Sequence, residues 1–440
     1  MNRPDLARKL SINSIFQLIE KLVVLSFSFV NMYFLIKMLS PDDYGIWGVA
    51  FGYFAFLQII NVGTESILWK HHNSMQGGIL PAMRSIEAFN IIKFFVLLLL
   101  AVFMGYILSS IYANSNFIYA LVAATSMMAV DSLVSHLATV ASANYKHSIV
   151  TRVNFNRVLF SLVLMLLFIY NPTMQMLMLK ELAIAMFVYG LWHRQKKNVI
   201  GAVYFPTFDY VSLLYVWKSI RSYSIWTHFC GVLTYFIYRS DTIFLSMVAG
   251  LPIVGHYNIA LNLANLANII PGIIAQQNSV AISNVDKSDV RNKITLTLLK
   301  VSILFGVFIL LIYVFLAEYV VMLISEEAPS AQIYSYLIPI VVGLLIVKTI
   351  ASPIVSLINI SGSVRRLFFR VNLPTFLLSI IFYSASAFFC GAIGLAYSNI
   401  IVSLVWLALL LREASIYGFS LKGLLSLKYE IKFLKGIFIK

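Results

Sequence analysis

The sequence predicts an all-α integral membrane protein of about twelve transmembrane helices, built as two parallel-repeat six-helix lobes around a central cavity. Of its 440 residues, 60% are hydrophobic and 11% are charged, whereas about a quarter of the residues in a soluble domain are charged. Apolar stretches of roughly 20 residues, long enough for a helix to cross a bilayer, recur along the chain. A short turn motif returns half a chain later, which indicates an internal duplication.

The apolar stretches give the positions of the spans. The first six cover 14–38, 45–63, 90–110, 117–140, 153–171 and 174–192, and the second six cover 222–248, 255–282, 294–316, 333–358, 371–390 and 394–411. Because six is even, both halves enter the membrane in the same orientation, as in parallel repeats. We therefore predict an N-terminal lobe at 1–192, a cytoplasmic inter-lobe loop at 193–221, a C-terminal lobe at 222–411 and a basic amphipathic cytoplasmic tail at 412–440.

The basic residues indicate how the helices are oriented. The formal net charge is +15, and most basic side chains fall on the side of the N-terminus, where the positive-inside rule places the cytoplasm. The exceptions lie inside spans or at their ends and are Lys21, Lys37, Lys180, Arg239 and Lys348. We expect both termini in the cytoplasm, and we attribute the charge to orientation and to anionic lipid headgroups rather than to nucleic acid.

The repeated motif is the loop at 39–47, which reads LSPDDYGIW. A shift of 210 positions lays Gly45 on Gly255 and Trp47 on Tyr257 without a gap. Each copy predicts a membrane helix, a tight turn that contains Pro41 or Pro252, and a second helix that begins at the glycine.

These residues carry a resemblance to a known family. The LSPDDYGIW turn, and Asp241 followed by FLSMVAGLPIVGHYNIA, resemble the polysaccharide and O-antigen flippases of the MOP (multidrug/oligosaccharidyl-lipid/polysaccharide) superfamily. That superfamily also contains multidrug extruders and lipid II flippases. The resemblance implies alternating access of two lobes that moves an undecaprenyl-diphosphate-linked oligosaccharide to the outer leaflet of a bacterial inner membrane, for lipopolysaccharide O-antigen or another surface polysaccharide. A polysaccharide polymerase and a chain-length regulator are candidate partners, and we expect no cofactor.

Three cations inside spans are candidates for binding the diphosphate. Ionisable side chains at bilayer depth are costly and mark function by default, and cationic groups suit phosphate oxygens. The candidates are Arg239, Lys348 and Lys21. Two alternatives stay open, since Arg239 could serve only to neutralise a buried acid and Lys21 is close enough to the interface to snorkel.

A row of amides in the eighth span is a candidate for binding sugar. Asn258, Asn262 and Asn265 recur at helical spacing, and an amide is both a donor and an acceptor toward hydroxyls. Hydrogen bonding between neighbouring helices is the alternative.

Four other groups are candidates for coupling transport to a proton or sodium ion. They are three acids and a histidine, the side chain type whose ordinary pKa lies closest to neutral pH, namely Asp241, Glu20, Asp131 and His136. The alternative for His136 is a packing role.

Two other functions compete with the flippase. A cation-coupled multidrug extruder would share the lobes but would favour acids over cations in its cavity, which Arg239 and Lys348 oppose. A membrane polysaccharide polymerase would need a sizeable outer loop, and every predicted outer loop is short. The sequence contains no HExxH, CxxC, GxSxG or P-loop motif, so we expect no catalytic residues and no metal site.

Overall fold

The computed structural model describes residues 3–64, 68, 79–144, 146–222, 224–283, 285, 287–325, 327–421 and 424. These residues are helical almost throughout, and no strand occurs among them. The part of the predicted tail at 422–423 and 425–440 lies outside them. They form two compact units. One holds the chain up to Ser246 together with Gly250–Gly255, and the other holds Met247–Ala249 and the chain from His256 onward.

The first half of the chain contributes eight helices. They are α1 (Arg3–Met38), α2 (Pro41–Gln58), α3 (Ile79–Ile111), α4 (Asn116–Ala143), α5 (His147–Tyr170), α6 (Met174–Ile200), α7 (Tyr210–Ser222) and α8 (Ser224–Val248). Helix α7 packs against α3 and belongs to the first unit. The lobes predicted from the sequence, with a boundary at 193–221, are defined by an internal repeat, whereas the two units are defined by contacts. The predicted lobes therefore stay a prediction.

The second half contains more breaks. Its helices are α9 (Leu251–Leu266), α10 (Ile269–Ser283), α11 (Ser288–Ile324), α12 (Glu327–Leu345), α13 (Ser352–Ser361), α14 (Val364–Leu367) and α15 (Leu373–Ile416). Two π-helical turns, Ile346–Ala351 and Phe368–Asn372, join α12 to α13 and α14 to α15. Helix α15 breaks at Gly391, where φ is 60°. A left-handed conformation of this kind suits glycine, and the break separates the last two predicted spans.

The fold class predicted from the sequence is confirmed, because each predicted span contains a described helix. By length and composition, eight helices in the described ranges are long and apolar enough to cross a membrane, or nine if the bent pair α9 and α10 counts as one span. Phe95, Leu99 and Phe103 on α3 are among the large apolar side chains that are exposed. Exposed apolar faces of this length are stable only in lipid.

The start predicted for the second helix of each turn motif is wrong by about one helical turn. Helix α2 begins at Pro41, because the Ser40 hydroxyl accepts the backbone N–H of Asp43 at 3.1 Å as an N-cap, and proline is favoured in the first turn. Helix α9 likewise begins at Leu251. Gly45 and Gly255 are therefore inside helices.

The two glycines allow the two motifs to touch each other. A Cβ atom added at Gly45 would overlap the backbone oxygen of Leu251, and one added at Gly255 would lie 2.8 Å from the backbone oxygen of Pro41. Any side chain would force the backbones apart. The contact is reciprocal, because Leu251 occupies the position in the second half that Pro41 occupies in the first.

Candidate functional site

A cavity of about 950 Å³ with many polar side chains in its lining lies within the first unit. It is bounded by α1, α4, α5, α6 and α8, by the end of α2 and by the segment that follows α2. Its polar lining includes Glu20, Lys21, Ser28, Gln58, Asn61, Asp131, Ser132, Ser135, Thr139, Ser142, Asn154, Arg157, Thr227, His228 and Tyr235. Charged, amide and hydroxyl groups therefore face a single space inside a bundle whose exterior is apolar.

Glu20 is the most completely bonded acid of the cavity. It is 8% exposed, and its Oε2 lies 2.6 Å from Nε2 of His147 while its Oε1 accepts from Nδ2 of Asn154 at 2.8 Å. On the other side of the ring, Nδ1 of His147 lies 3.3 Å from the hydroxyl of Ser142. These contacts form a hydrogen-bonded row from the lining residue Ser142 through the imidazole to the carboxylate.

The cavity also holds an ion pair whose two side chains are partly exposed. Arg157 Nη1 donates to Oδ1 of Asp131 at 2.7 Å, and the two side chains are 24% and 70% exposed. Lys21 is exposed and also lines the cavity. His228 contributes to the lining, with Nε2 3.0 Å from the backbone oxygen of Ile59. We call Glu20, Asp131, His147, Asn154 and Arg157 the cavity cluster.

The other predicted cations lie elsewhere. Arg239 is half-buried, with its guanidinium 5.5 Å from the centroid of the Phe51 ring, the geometry of a cation–π contact. It is not part of the cavity lining. Lys348 lies in the π-helical turn Ile346–Ala351 of the second unit.

The predicted amide row and the remaining acid have separate surroundings. Asn258 is buried, and Asn262 and Asn265 are half-buried, all on the part of α9 that belongs to the second unit. Asn265 Oδ1 accepts from Nδ2 of Asn268 at 3.0 Å. Asp241 is fully buried in the first unit, and its Oδ1 accepts the N–H of Thr242 at 2.7 Å. Of the ten predicted site residues, the cavity lining includes Lys21, Glu20 and Asp131.

His136 belongs to a different group, which we call the buried cluster: Glu87, Asn90, His136 and Lys196, all 0% exposed. Lys196 Nζ lies 2.9 Å and 2.8 Å from the two oxygens of Glu87. Asn90 Nδ2 lies 3.4 Å from Nδ1 of His136, and Nε2 of the same ring lies 3.8 Å from Oε2 of Glu87. The hydroxyl of Tyr189 also donates to Glu87, at 2.7 Å.

The buried cluster also fastens the segment that follows α6. Lys196 Nζ donates to the backbone oxygen of Tyr204 at 3.1 Å and lies 4.3 Å from the centroid of its ring. Tyr204 is 1% exposed, and burial raises the pKa of its hydroxyl far above the ordinary value. The donors of Lys196 are thus shared between a carboxylate, a carbonyl and an aromatic face.

Sequence reasoning missed the partners of Glu20 and Asp131. His147, Asn154 and Arg157 follow each other on α5 at intervals of seven and three residues, which puts them on one face of the helix. That polar stripe was a usable signal.

Among the described residues, no group of three or more His, Cys, Asp or Glu side chains is arranged to hold a metal ion.

Comparison with known proteins identifies the fold. No family model matches the chain, and no curated protein sequence is significantly similar. Solved structures do match. The eukaryotic MATE transporter AtDTX14 aligns with a TM-score of 0.67 at 13% identity over 92% of this chain and 95% of that one. The lipid II flippase MurJ, in an inward closed conformation, aligns with a TM-score of 0.66 at 16% identity over 94% and 89%.

A third match is a single-residue mutant of the Vibrio cholerae MATE transporter VcmN, with a TM-score of 0.58 at 15% identity over 94% of this chain and 99% of that one. Identities this low show a common fold and leave the substrate open. The protein is thus a multi-pass membrane protein with the helical fold of MATE transporters and MurJ.

Proposed function

We propose that this chain, which has the fold of MATE transporters and MurJ, is a flippase for an undecaprenyl-diphosphate-linked oligosaccharide. It would move the repeat unit from the cytoplasmic to the periplasmic leaflet by alternating access, for O-antigen or another surface polysaccharide. The carrying observation is that Lys21 and Arg157 line the same cavity as the amides Gln58, Asn61 and Asn154.

The chemistry of this lining suits both parts of such a substrate. A guanidinium and an ammonium can hold phosphate oxygens through charge-assisted hydrogen bonds. Amides and hydroxyls offer donors and acceptors to sugar hydroxyls. The polyprenyl tail, which is purely apolar, would stay in the lipid outside the cavity. Here Arg157 takes the role that the sequence suggested for Arg239 and Lys348.

The Asp131–Arg157 pair supports exchange of partners. Exposed ion pairs are worth only about 0–1 kcal/mol, and the Asp131 side chain is 70% exposed. A phosphate can therefore displace Asp131 from Arg157 at little cost. After the phosphate leaves, Asp131 would neutralise the arginine again, so the binding site would not retain its product.

Glu20 is the best-supported candidate for ion coupling. Its carboxylate is bonded to His147 and Asn154 and also lines the cavity. A proton that arrives at Glu20 would neutralise the carboxylate, and its contacts with His147 and Asn154 would then join neutral groups. A sodium ion in place of the proton would need oxygen ligands, which Glu20 and Asn154 could provide.

The second candidate function is extrusion of cationic drugs. It is favoured by the presence of two acids, Glu20 and Asp131, in the same cavity. In that case Arg157 would serve only to hold Asp131. We also propose the inner membrane as the location, both termini on the cytoplasmic side, and a polysaccharide polymerase and a chain-length regulator as partners.

The test is complementation of a gene deletion with the double variant Lys21→Gln, Arg157→Gln. Loss of a hydrogen bond to a charged group costs about 1.5–3 kcal/mol, so we expect intact lipid-linked oligosaccharide to accumulate inside and surface polysaccharide to fall at least about tenfold. The matched control is Lys197→Gln, Arg194→Gln, because both residues are exposed on α6 and lie outside the cavity.

Three outcomes are informative once normal membrane levels of each variant are verified. Accumulation in the cavity variant alone supports the flippase. Normal export by both variants removes the phosphate role of Lys21 and Arg157. Unchanged lipids in the deletion strain, together with new sensitivity to cationic dyes, indicate the drug extruder.

A further inference from the structure

A cluster of arginines lies in the second unit, where α13 ends, α14 begins and α15 ends. Tyr417, which follows α15, closes this corner. Its hydroxyl accepts the backbone N–H of Ser363 at 3.2 Å. Its ring also packs on Gly362, where an added Cβ atom would lie 2.5 Å from the ring carbon Cζ. The corner is therefore held at a fixed geometry by an aromatic side chain that needs a glycine opposite it.

One buried acid organises the arginines at this corner. Glu413 is 2% exposed and lies one helical turn before Tyr417. Its Oε1 is 3.0 Å from Nε of Arg366, and its Oε2 is 3.7 Å from Nη1 of Arg370. The guanidinium of Arg366 also lies 5.9 Å from the centroid of the Tyr417 ring. The carboxylate is the shared ionic partner of the two guanidinium groups.

The two arginines stay accessible although their common partner is buried. Their side chains are 37% and 59% exposed. One carboxylate neutralises one of the two positive charges, and Arg365 beside them is also exposed. The stretch 361–372 contains no acid. Each guanidinium has five N–H donors, so this corner offers several donors and a surplus of positive charge.

The apolar neighbour of this surface identifies the kind of partner. Phe369 lies between Arg366 and Arg370 in sequence and is 48% exposed. Guanidinium groups suit phosphate headgroups, and an exposed aromatic ring suits the first carbons of acyl chains. The two side by side therefore match the boundary between headgroups and acyl chains in a bilayer. A soluble anion would gain nothing from Phe369.

We propose that Arg366 and Arg370, held by Glu413, form a binding site for the phosphate of an anionic phospholipid, with Phe369 against the first carbons of its acyl chain. The orientation expected from the basic residues places this lipid in the inner leaflet. The site lies in the second unit and is independent of the substrate proposed for the cavity.

The experiment compares retention of phosphatidylglycerol and phosphatidylcholine by the full-length protein, purified from mixed-lipid nanodiscs and analysed by native mass spectrometry. A basic residue at an anionic surface contributes about 1 kcal/mol, so each arginine removed should lower selective retention of phosphatidylglycerol about fivefold. The variants are Arg366→Gln and Arg370→Gln, alone and together. The matched control is Arg194→Gln, an exposed arginine of the first unit.

Loss of selectivity in the arginine variants with full selectivity in Arg194→Gln supports the site. Equal selectivity in all variants overturns it. If the double variant fails to fold, Arg370→Gln alone decides, because its side chain is the more exposed and its contact the longer. Glycerol phosphate competing with the lipid as strongly as phosphatidylglycerol itself would also overturn the proposal, since it would assign the site to a soluble anion.

Discussion

The cavity cluster and the buried cluster use the same kinds of side chains in opposite surroundings. Both join a glutamate to a histidine and an asparagine within the first unit. Glu20, 8% exposed, lines the cavity, whereas Glu87 and its partners His136 and Lys196 are 0% exposed. The comparison indicates that a glutamate–histidine–asparagine group inside a helical bundle can serve either packing or ligand exchange, depending on its access to water.

The surroundings decide which cluster can change its charge state. Glu87 receives Lys196, Tyr189 and the ring of His136 from two other helices. Removing one partner would leave a charge in a dry interior, a situation that costs several kcal/mol. Glu20 and Asp131 border a cavity that water can enter, so their partners can be exchanged. The buried cluster therefore holds the helices together, whereas the cavity cluster is the one that we propose for transport.

The largest expected effect is loss of stability when the buried cluster is broken. Lys196→Met leaves Glu87 without its cation and frees the carbonyl of Tyr204, so we expect a loss of about 3–5 kcal/mol in the free energy of unfolding. Chemical unfolding in detergent measures it. Lys197→Met is the control, since the neighbouring side chain is exposed and its loss should change little. Equal midpoints for the two variants would contradict the structural role.

A double variant sharpens this result. Glu87→Leu combined with Lys196→Met removes both charges, and apolar replacement of a buried ion pair is often neutral. The double variant should therefore recover much of the stability that Lys196→Met loses. A further loss would mean that the contacts of Glu87 with Tyr189 and His136 outweigh the ion pair.

The next effect concerns transport rather than stability. Glu20→Gln keeps the shape of the side chain and an oxygen that can accept from His147, so the loss of stability should be about 1 kcal/mol or less. Transport should lose its dependence on the ion gradient, because an amide does not exchange a proton at physiological pH. Glu87→Gln should show the reverse, with lower stability and retained gradient dependence in whatever protein folds. Flux into proteoliposomes at varied proton and sodium gradients measures this.

The smallest effect of a substitution is expected at an exposed acid, Asp209, which serves as a comparison for the acids of both clusters. Asp209 lies outside the spans, and its Oδ2 accepts the N–H of Ser212 at 2.9 Å at the start of α7. This bond lowers the pKa of Asp209 below its ordinary value. The bond is therefore complete above the ordinary pKa and is lost as the pH falls through the lowered one. Amide hydrogen exchange at Ser212 should rise only in acid, and Asp209→Ala should remove that pH dependence.

The sequence predicted the helices well because hydropathy is a local property. Each span corresponds to a run of apolar residues, and a run of that length needs no tertiary information to form a helix in lipid. The starts of α2 and α9 were missed because Gly45 and Gly255 look like turn residues. Glycine is needed at these two positions because another backbone approaches closely, and that contact is visible only in the folded structure.

The site was harder to predict because a basic residue near the end of a span can either orient the helix in the membrane or bind a ligand. Arg157 counted toward the orientation of the helices, and its position beside Asp131 depends on how α4 and α5 pack. Arg239 was predicted to bind the diphosphate because it lies inside a span, and that role stays a prediction. Arg239 contacts Phe51, and His136 lies near Glu87. Both pairs are far apart in the sequence, so no periodic pattern predicts them.

The reciprocal contact of the two turn motifs has a consequence for mutation. Gly45 meets Leu251 and Gly255 meets Pro41, so the two turns touch through positions that are related by a shift of 210 residues in the sequence. Such a pattern, in which residue i meets j and j meets i, is also what a two-fold symmetric dimer produces. Each glycine fits against the backbone of the other turn, so a side chain introduced at either glycine would separate both turns.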